Sequence, residues 1–393
     1  MKYTSLLSIF FASIIVSAGD FVNAVKNGTW NLNLRYRLEY VDQDNIDNEA
    51  LASTLRTRLG YKSGLFHGYE FYIDFENVTA IGNDLYNSTA NGVSDRPIVA
   101  DPEDTEVNQV YLAYKGFEQQ TLTLGRQRIT LDDHRFVGNV GWRQNEQTYD
   151  GLRWSFDQDK HKINVVYFEN VNRIFGDHQA AGDWRTQAFL AHYNLGVGKL
   201  GTISFFGHFF EIESVPENSH SNLGFRMAGK VAFEGWSLLH ALSYVTQADY
   251  KDGRDAIDAD YVLISCGPAF GNFDITLNYE VLGSNDGIYG FSTPFATLHA
   301  HNGWADKFLN TPAAGLVDLF LKANLKAGKW NLLGMFHQFE SDEGSADYGS
   351  EFDFQAARKI NDHLNLGLKA AVYDADTFSV DTTKIWITLD SVW

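Results

Sequence analysis

The stretch Trp30-Asn31-Leu32-Asn33-Leu34-Arg35-Tyr36-Arg37-Leu38-Glu39-Tyr40 carries an apolar or aromatic residue at every even position and a polar one at every odd position. A period of two belongs to a strand, whose successive side chains leave opposite faces, and not to a helix. One face of this strand is greasy and the other wet. The pattern recurs outward along the chain. Within residues 51–61, Leu51, Leu55, Leu59 and Tyr61 oppose Thr54, Arg56 and Arg58; later, Leu223, Phe225, Met227, Val231 and Phe233 oppose Gly224, Arg226, Ala228 and Lys230. Residues 274–280, 330–339 and 364–373 alternate less strictly.

The stretches between strands are of two kinds, and they alternate. Short ones fall near residues 64–67, 115–118, 157–161, 196–200, 234–235, 268–272, 326–329 and 358–362. Long polar ones cover 42–50, 81–104, 130–147, 172–182, 213–219, 247–258, 284–311, 342–346 and 374–381. About eighteen strands lie between them, an even number with both chain ends on the short-turn side. Hairpins joining neighbours throughout give an up-and-down order without crossover helices. The expected fold is all-β: a transmembrane up-and-down antiparallel β-barrel with short periplasmic turns and long extracellular loops, residues 25–393 forming a single domain. A soluble β-sandwich would alternate too, but without the asymmetry of its loops. The last strand ends on the aromatic Trp393, the usual recognition end of bacterial outer-membrane barrels.

Composition agrees. Among 393 residues, 34 Gly, 29 Phe, 19 Tyr and 9 Trp against 6 Pro suit strands and tight turns. A net charge of −19 argues against nucleic acid as a partner, because phosphate binding needs a basic footprint. One cysteine, Cys266, excludes an intramolecular disulfide and a Cys-based zinc site. After the N-terminus no run approaches the ~18 apolar residues of a membrane helix, whereas a barrel strand crosses with ~9–11 residues and needs only every second one apolar. At the N-terminus, Lys2, the apolar run 6–18 and the small residues of Val22-Asn23-Ala24 read as a signal peptide over 1–24. The destination this implies is the outer membrane of a Gram-negative bacterium, in contact with lipid and lipopolysaccharide.

If the apolar face meets lipid, the polar face meets water inside a pore. Arg35, Arg37, Arg56, Arg58, Arg126, Arg128, Arg153, Arg185 and Arg226 lie in expected strands, while the second half of the chain has little Arg. One reading is a basic wall that selects anions, since the guanidinium fork suits carboxylates and keeps its proton. Weak individual contacts favour transport, because a solute must leave as readily as it enters. The other reading pairs these residues with Glu39, Glu70, Asp74 and Glu76 to stiffen the wall. Leu122, Leu124, Arg126 and Arg128 share parity, so either a bulge at Gly125 reverses the faces or the two Arg lie beyond the lipid zone.

The loop after that strand is dense in Arg, Asp, Gln and Trp, and Gly138 and Gly141 let it fold tightly. It is expected to turn inward and narrow the pore, with Asp132, Asp133, Arg135, Arg143 and Gln144 at the constriction. A hydrolase would use Asp132, Asp133 and His134, yet no zinc, nucleophile-elbow, Walker or dinucleotide motif supports catalysis. No cofactor or metal centre is expected. The twelve His read as lumen or rim polar groups.

Four motifs carry a resemblance: LRTRLGY (55–61), VNQVYLAYKG (107–116), LTLGRQRI (122–129) and DDHRFVGNVGWRQNEQTYDGLRW (132–154). They are similar to the alginate export family of outer-membrane proteins, most strongly over residues 30–155. The resemblance implies a passive channel for anionic solutes, acidic sugars or polyuronates such as alginate, with Arg35, Arg37, Arg56, Arg58, Arg126, Arg128 and Arg153 as wall residues and export partners in the periplasm. A general small-solute porin with little charge preference is the alternative.

Overall fold

The computed structural model describes residues 18–82 and 84–393. The apolar leader run expected at 6–18 therefore lies outside the described residues, apart from Ala18. Helix α1 (Ala18–Lys26) precedes the strands. It leans on the first short turn, where Tyr61 Oη donates to the Val25 carbonyl at 2.6 Å.

The strands are β1 (Thr29–Gln43), β2 (Ala50–Lys62), β3 (Tyr69–Ala80), β4 (Asp104–Tyr114), β5 (Gln120–Gln127), β6 (Thr148–Gln158) and β7 (His161–Asn172). They continue through β8 (Asp183–Gly196), β9 (Thr202–Glu211), β10 (His220–Ala232), β11 (Ser237–Asp249), β12 (Asp258–Phe270) and β13 (Phe273–Leu282). A small hairpin, β14 (Ser284–Asn285) and β15 (Tyr289–Gly290), sits within a loop. The series ends with β16 (Leu316–Ala327), β17 (Trp330–Glu340), β18 (Asp347–Lys359), β19 (Leu364–Ala375) and β20 (Thr382–Val392). Apart from β14 and β15 they form one sheet of 18 strands. Each pairs antiparallel with its chain neighbours, β13 pairs with β16, and β20 closes onto β1 from Asn33↔Val392 to Gln43↔Thr382. Closure leaves no free sheet edge, the condition for crossing lipid with strands. The alternation of short turns and long loops is as read from the sequence.

The faces follow the alternation. Leu59, Phe75, Leu124, Leu277 and Phe336 point outward and stay exposed, while Arg37, Arg56, Asp74 and Glu76 point inward and are buried. Uncovered side chains of this size would each forfeit about 1.5–3 kcal/mol in water, so the outer surface is built for hydrocarbon. Trp30, Phe117, Phe233, Trp236, Phe270 and Trp393 are exposed near the short-turn ends, where an aromatic girdle marks the membrane interface.

Two of the expected wall residues face the other way. The β4–β5–β6 ladder runs without a shift through Leu112↔Leu124↔Leu152 and Val110↔Arg126↔Asp150. No bulge reverses the faces at Gly125, so Arg126 shares the outward side with Leu124. It lies at the loop end of β5 and pairs with Asp150 at 2.9 Å. Arg185 shares parity with the exposed Phe189; its side chain is 76% exposed and pairs with Glu213 at 2.8 Å. Both stand on the outer face toward the loop rim. Arg128 follows the strand and enters the lumen.

Gly125 has φ +126°, and a Cβ there would lie 2.3 Å from the Val110 carbonyl oxygen and 2.9 Å from Tyr111 Cα. The close β4–β5 approach thus depends on a bare Cα. Gly125→Val should cost about 1–3 kcal/mol or more and deplete the compact, heat-modifiable barrel band on a gel.

The interior is not simply aqueous. Loop 128–147 folds inward, and loop 283–315 joins it. Phe136 and Val137 of the first loop and Phe291, Phe295, Trp304 and Phe308 of the second are buried in one cluster with wall residues Phe168, Phe210 and Tyr261. The largest apolar core of this barrel therefore lies inside it.

Candidate functional site: a lumen with a basic wall and two inward loops

The basic wall comes from β1 and β2. Arg35 stands directly across from Arg56 in the register, and Arg37 across from Thr54. Like charges directly opposite destabilise a sheet, so this arrangement has to be compensated or used. Arg35 pairs with Asp390 at 2.9 Å. Arg58 pairs with Glu76 and, at 3.3 Å, with Glu146. Arg128 Nε donates to Glu146 at 2.9 Å. Arg226 pairs with Asp133 at 2.8 Å. These residues are substantially neutralised.

Three others are not. Arg56 bonds only the Asn33 amide oxygen, and no carboxylate among the described residues forms an ion pair with it. Its Nε and Nη1 are buried without a partner. Arg37 lies over the Trp142 ring at 4.2 Å, with Asp101 at 3.9 Å, and its Nε and Nη1 also lack hydrogen bonds. Arg153 holds only the Asn164 side chain, at 2.6 and 3.0 Å. Unpartnered buried donors are costly; Arg37 and Arg153 each line a cavity of the lumen, whereas Arg56 is buried behind the wall surface and acts on the lumen through its charge.

The constriction residues anchor the first loop to the wall. Asp132 accepts from Ser204 Oγ at 2.9 Å and sits 3.2 Å from His192 Nε2, while Asp133 takes Arg226. Asp132 and Asp133 thus engage different wall residues. Arg135 pairs with Glu280 at 2.9 Å, and Gln144 Nε2 donates to Thr54 Oγ1 at 2.9 Å. Arg143 reaches Glu39 at 3.0 Å and Asp306 at 3.2 Å. Burial works against ionisation of Glu146, yet Arg58 and Arg128 outweigh it and hold the group at about 2.

The second loop meets the first across the lumen. Gly138 N donates to the Phe295 carbonyl at 2.8 Å, and Thr297 N donates to the His134 carbonyl at 3.0 Å. A Cβ on Gly138 would lie 2.3 Å from Thr297 Oγ1, so this glycine permits the crossing. The far wall holds the second loop through acids: Glu351 accepts from Ala305 N at 2.7 Å and Asp353 from Trp304 N at 3.2 Å. The sequence places this loop among the long polar connections. Its signal was present in Tyr289, Phe291, Phe295, Trp304 and Phe308, five aromatics that a solvated loop does not carry.

At the crossing lies a layer of rings around a lysine. Trp142 stacks on His299 at 4.4 Å and 9°. Lys369 Nζ lies 3.4 Å from the Trp304 ring centre, 4.0 Å from that of Trp142 and 2.6 Å from His299 Nε2. Above the layer is a cavity of about 460 Å³ lined by His299. Below it is one of about 210 Å³ lined by Trp142, Lys369, Arg35 and Arg37. The two share no lining residue.

His299 Nδ1 is 2.7 Å from Asp306. Burial, opposed by Asp306 and reinforced by Lys369, holds the imidazole well below its ordinary 6.5. The seated loop therefore refuses a proton that a released loop would bind below about 6.5. Its stability falls as pH drops from there toward the depressed value. The Asp306 carboxylate works against burial but is held well below 3.8 by His299 and Lys384. Its contribution is full above about 3.8 and is lost as the pH falls from there through that lower value. Single-channel recordings should show more frequent opening at about pH 5 than at about pH 7.5.

A closed sheet of 18 antiparallel strands, greasy outside and lined with ionic groups within, defines an outer-membrane β-barrel of the porin type. The sequence model of the alginate export family matches residues 28–205, which bears out the resemblance over that part of the chain. The fold is similar to Acinetobacter baumannii OccAB4 (12% identity, TM-score 0.74, 94% of this chain and 99% of that one). It is also similar to Pseudomonas aeruginosa OccK9, or OpdG (13%, 0.75, 94% and 100%), and to Pseudomonas aeruginosa OpdK, solved with vanillate (12%, 0.72, 94% and 99%). No curated protein matches the sequence.

Proposed function

We propose that the barrel is a passive outer-membrane channel for organic anions, acidic sugars among them, which pass along the wall of Arg35, Arg37, Arg56, Arg58, Arg128, Arg153 and Arg226. The observation that carries this is Arg56, a lumen guanidinium with no carboxylate partner among the described residues, set across from Arg35. Electrostatic focusing in a low-dielectric channel raises the local concentration of the opposite charge. The family match over 28–205 supports a polyuronate as cargo, while the meeting of two loops across the lumen favours small solutes over a polymer in this conformation. The test is the reversal potential in a planar bilayer under a salt gradient: anion preference is expected, and cation preference rejects the reading.

A second reading, a porin with little charge preference, is favoured by the pairing of Arg35, Arg58, Arg128 and Arg226 with acids. In this proposal residues 1–24 are a cleaved leader and 25–393 one domain in the outer membrane. Lipid and lipopolysaccharide cover the apolar face, and export partners would meet the short-turn rim.

A further inference from the structure

The cavity of about 460 Å³ on the loop side of the ring layer has a lining at odds with a sugar. Ile46, Ile98, Val140, Ile174, Leu298 and Leu309 give it aliphatic walls. Its neutral polar side chains are Gln43, Thr89, Gln147 and Asn310, too few to partner all the hydroxyl groups of a polyol, and those left facing hydrocarbon carry a desolvation cost. The size lies in the ordinary range for small-molecule sites.

Its charge is one-sided. Arg143, Arg173, Lys307 and Lys384 line it, against a single acid, Asp306. That acid is already engaged by His299, Lys384 and Arg143. Arg143 is satisfied further by Glu39. Two cations have no carboxylate in direct contact. Lys307 Nζ has Gln43 Oε1 at 3.3 Å and no ion-pair partner among the described residues. Arg173 donates to the Ala181 carbonyl at 3.3 Å and lies over Trp184 at 3.9 Å; its Nε is buried without a partner. It too has no ion-pair partner among the described residues. A partly buried, unpaired cation is expensive to keep unless a ligand brings the opposite charge.

We propose that this vestibule is the entry site for a small aliphatic monocarboxylate, the alkyl body resting on the Ile, Val and Leu walls and the carboxylate held by Lys307 and Arg173. Binding at the site stands alone; only onward passage rests on the anion-channel reading. Burial, with Lys384 nearby, outweighs the pull of Glu351, Asp306 and Asp381 and draws Lys307 down to about 8, so carboxylate affinity should decline above that pH.

The test uses the full barrel in detergent and isothermal titration with hexanoate. Hexanoate should bind saturably, with glucuronate and hexanol each about tenfold weaker or more. Lys307→Gln with Arg173→Gln should weaken hexanoate by about tenfold and leave hexanol unchanged, whereas Lys307→Arg should retain binding. Leu298→Asn should weaken hexanoate through the other half of the site. If the double variant gives no heat-modifiable barrel, Lys307→Gln and Leu298→Asn singly decide the matter. Equal binding of hexanol, equal or tighter binding of glucuronate, or indifference to these substitutions overturns the proposal. The reversal potential separates the two ideas: anion preference without hexanoate binding sinks only the site, and hexanoate binding with cation preference sinks only the channel reading.

Discussion

Arg56→Glu combined with Arg58→Glu should swing the reversal potential toward cations, changing the anion-to-cation permeability ratio on the order of tenfold. The two residues differ in what they hold. Arg56 has no carboxylate partner among the described residues, so its replacement acts directly on the field in the lumen. Arg58 neutralises Glu76 and shares Glu146 with Arg128, so its replacement also frees Glu76 on the wall. The combined change therefore exceeds the formal charge of the substitutions. Arg56→Gln should give a smaller shift in the same direction, with Arg58 and the loop undisturbed. Should Arg56→Gln leave selectivity unmoved while the barrel stays folded, the paired-wall porin reading gains and the anion channel loses its main support.

Trp142→Ala should raise single-channel conductance severalfold. The indole is the side chain that stacks on His299, packs against Trp386 and lies beneath Arg37 and Lys369 at once. Its removal joins the cavity lined by His299 to the cavity lined by Arg35 and Arg37. Trp142 is partly buried, so the local cost lies below the ~3–5 kcal/mol of a fully buried Trp→Ala change and is borne by the loop and not by the sheet, whose hydrogen bonds are untouched. The heat-modifiable band should persist while conductance rises. Unchanged conductance in a folded Trp142→Ala barrel would show that ions pass elsewhere, and the ring layer would lose its role as the constriction.

The sequence was most legible where one physical rule decided the outcome. Alternation set the faces of Arg35, Arg37, Arg56 and Arg58, because a strand with one side in hydrocarbon tolerates no slip of register. The long and short connections set the topology. Polarity fails as a guide to the inward face where a strand outruns the apolar belt: Arg126 keeps the parity of Leu124 and Arg185 that of Phe189, both on the outward side at the loop end, where charge no longer meets lipid. Period alone cannot mark that height. The inward turn of the first loop was readable from Gly138 and its density of Arg, Asp and Gln. The five aromatics of the second loop mark it for burial but not where it seats, because its partners, among them Glu280, Glu351 and Asp353, are scattered over strands far apart in sequence. Only the closed sheet brings those acids to one wall.

That dispersal bears on how the molecule is put together. Val140 and Thr297 meet across 157 residues of chain, and the tail strand supplies Lys384 and Trp386 to the same neighbourhood. The entropy of closing so long a segment is recovered only after distant parts have met. Seating of the two loops therefore waits for the final hairpin. A chain truncated before β20 should leave both its wall open and its gatework unlatched, making completion of the wall and setting of the gate a single step of biogenesis.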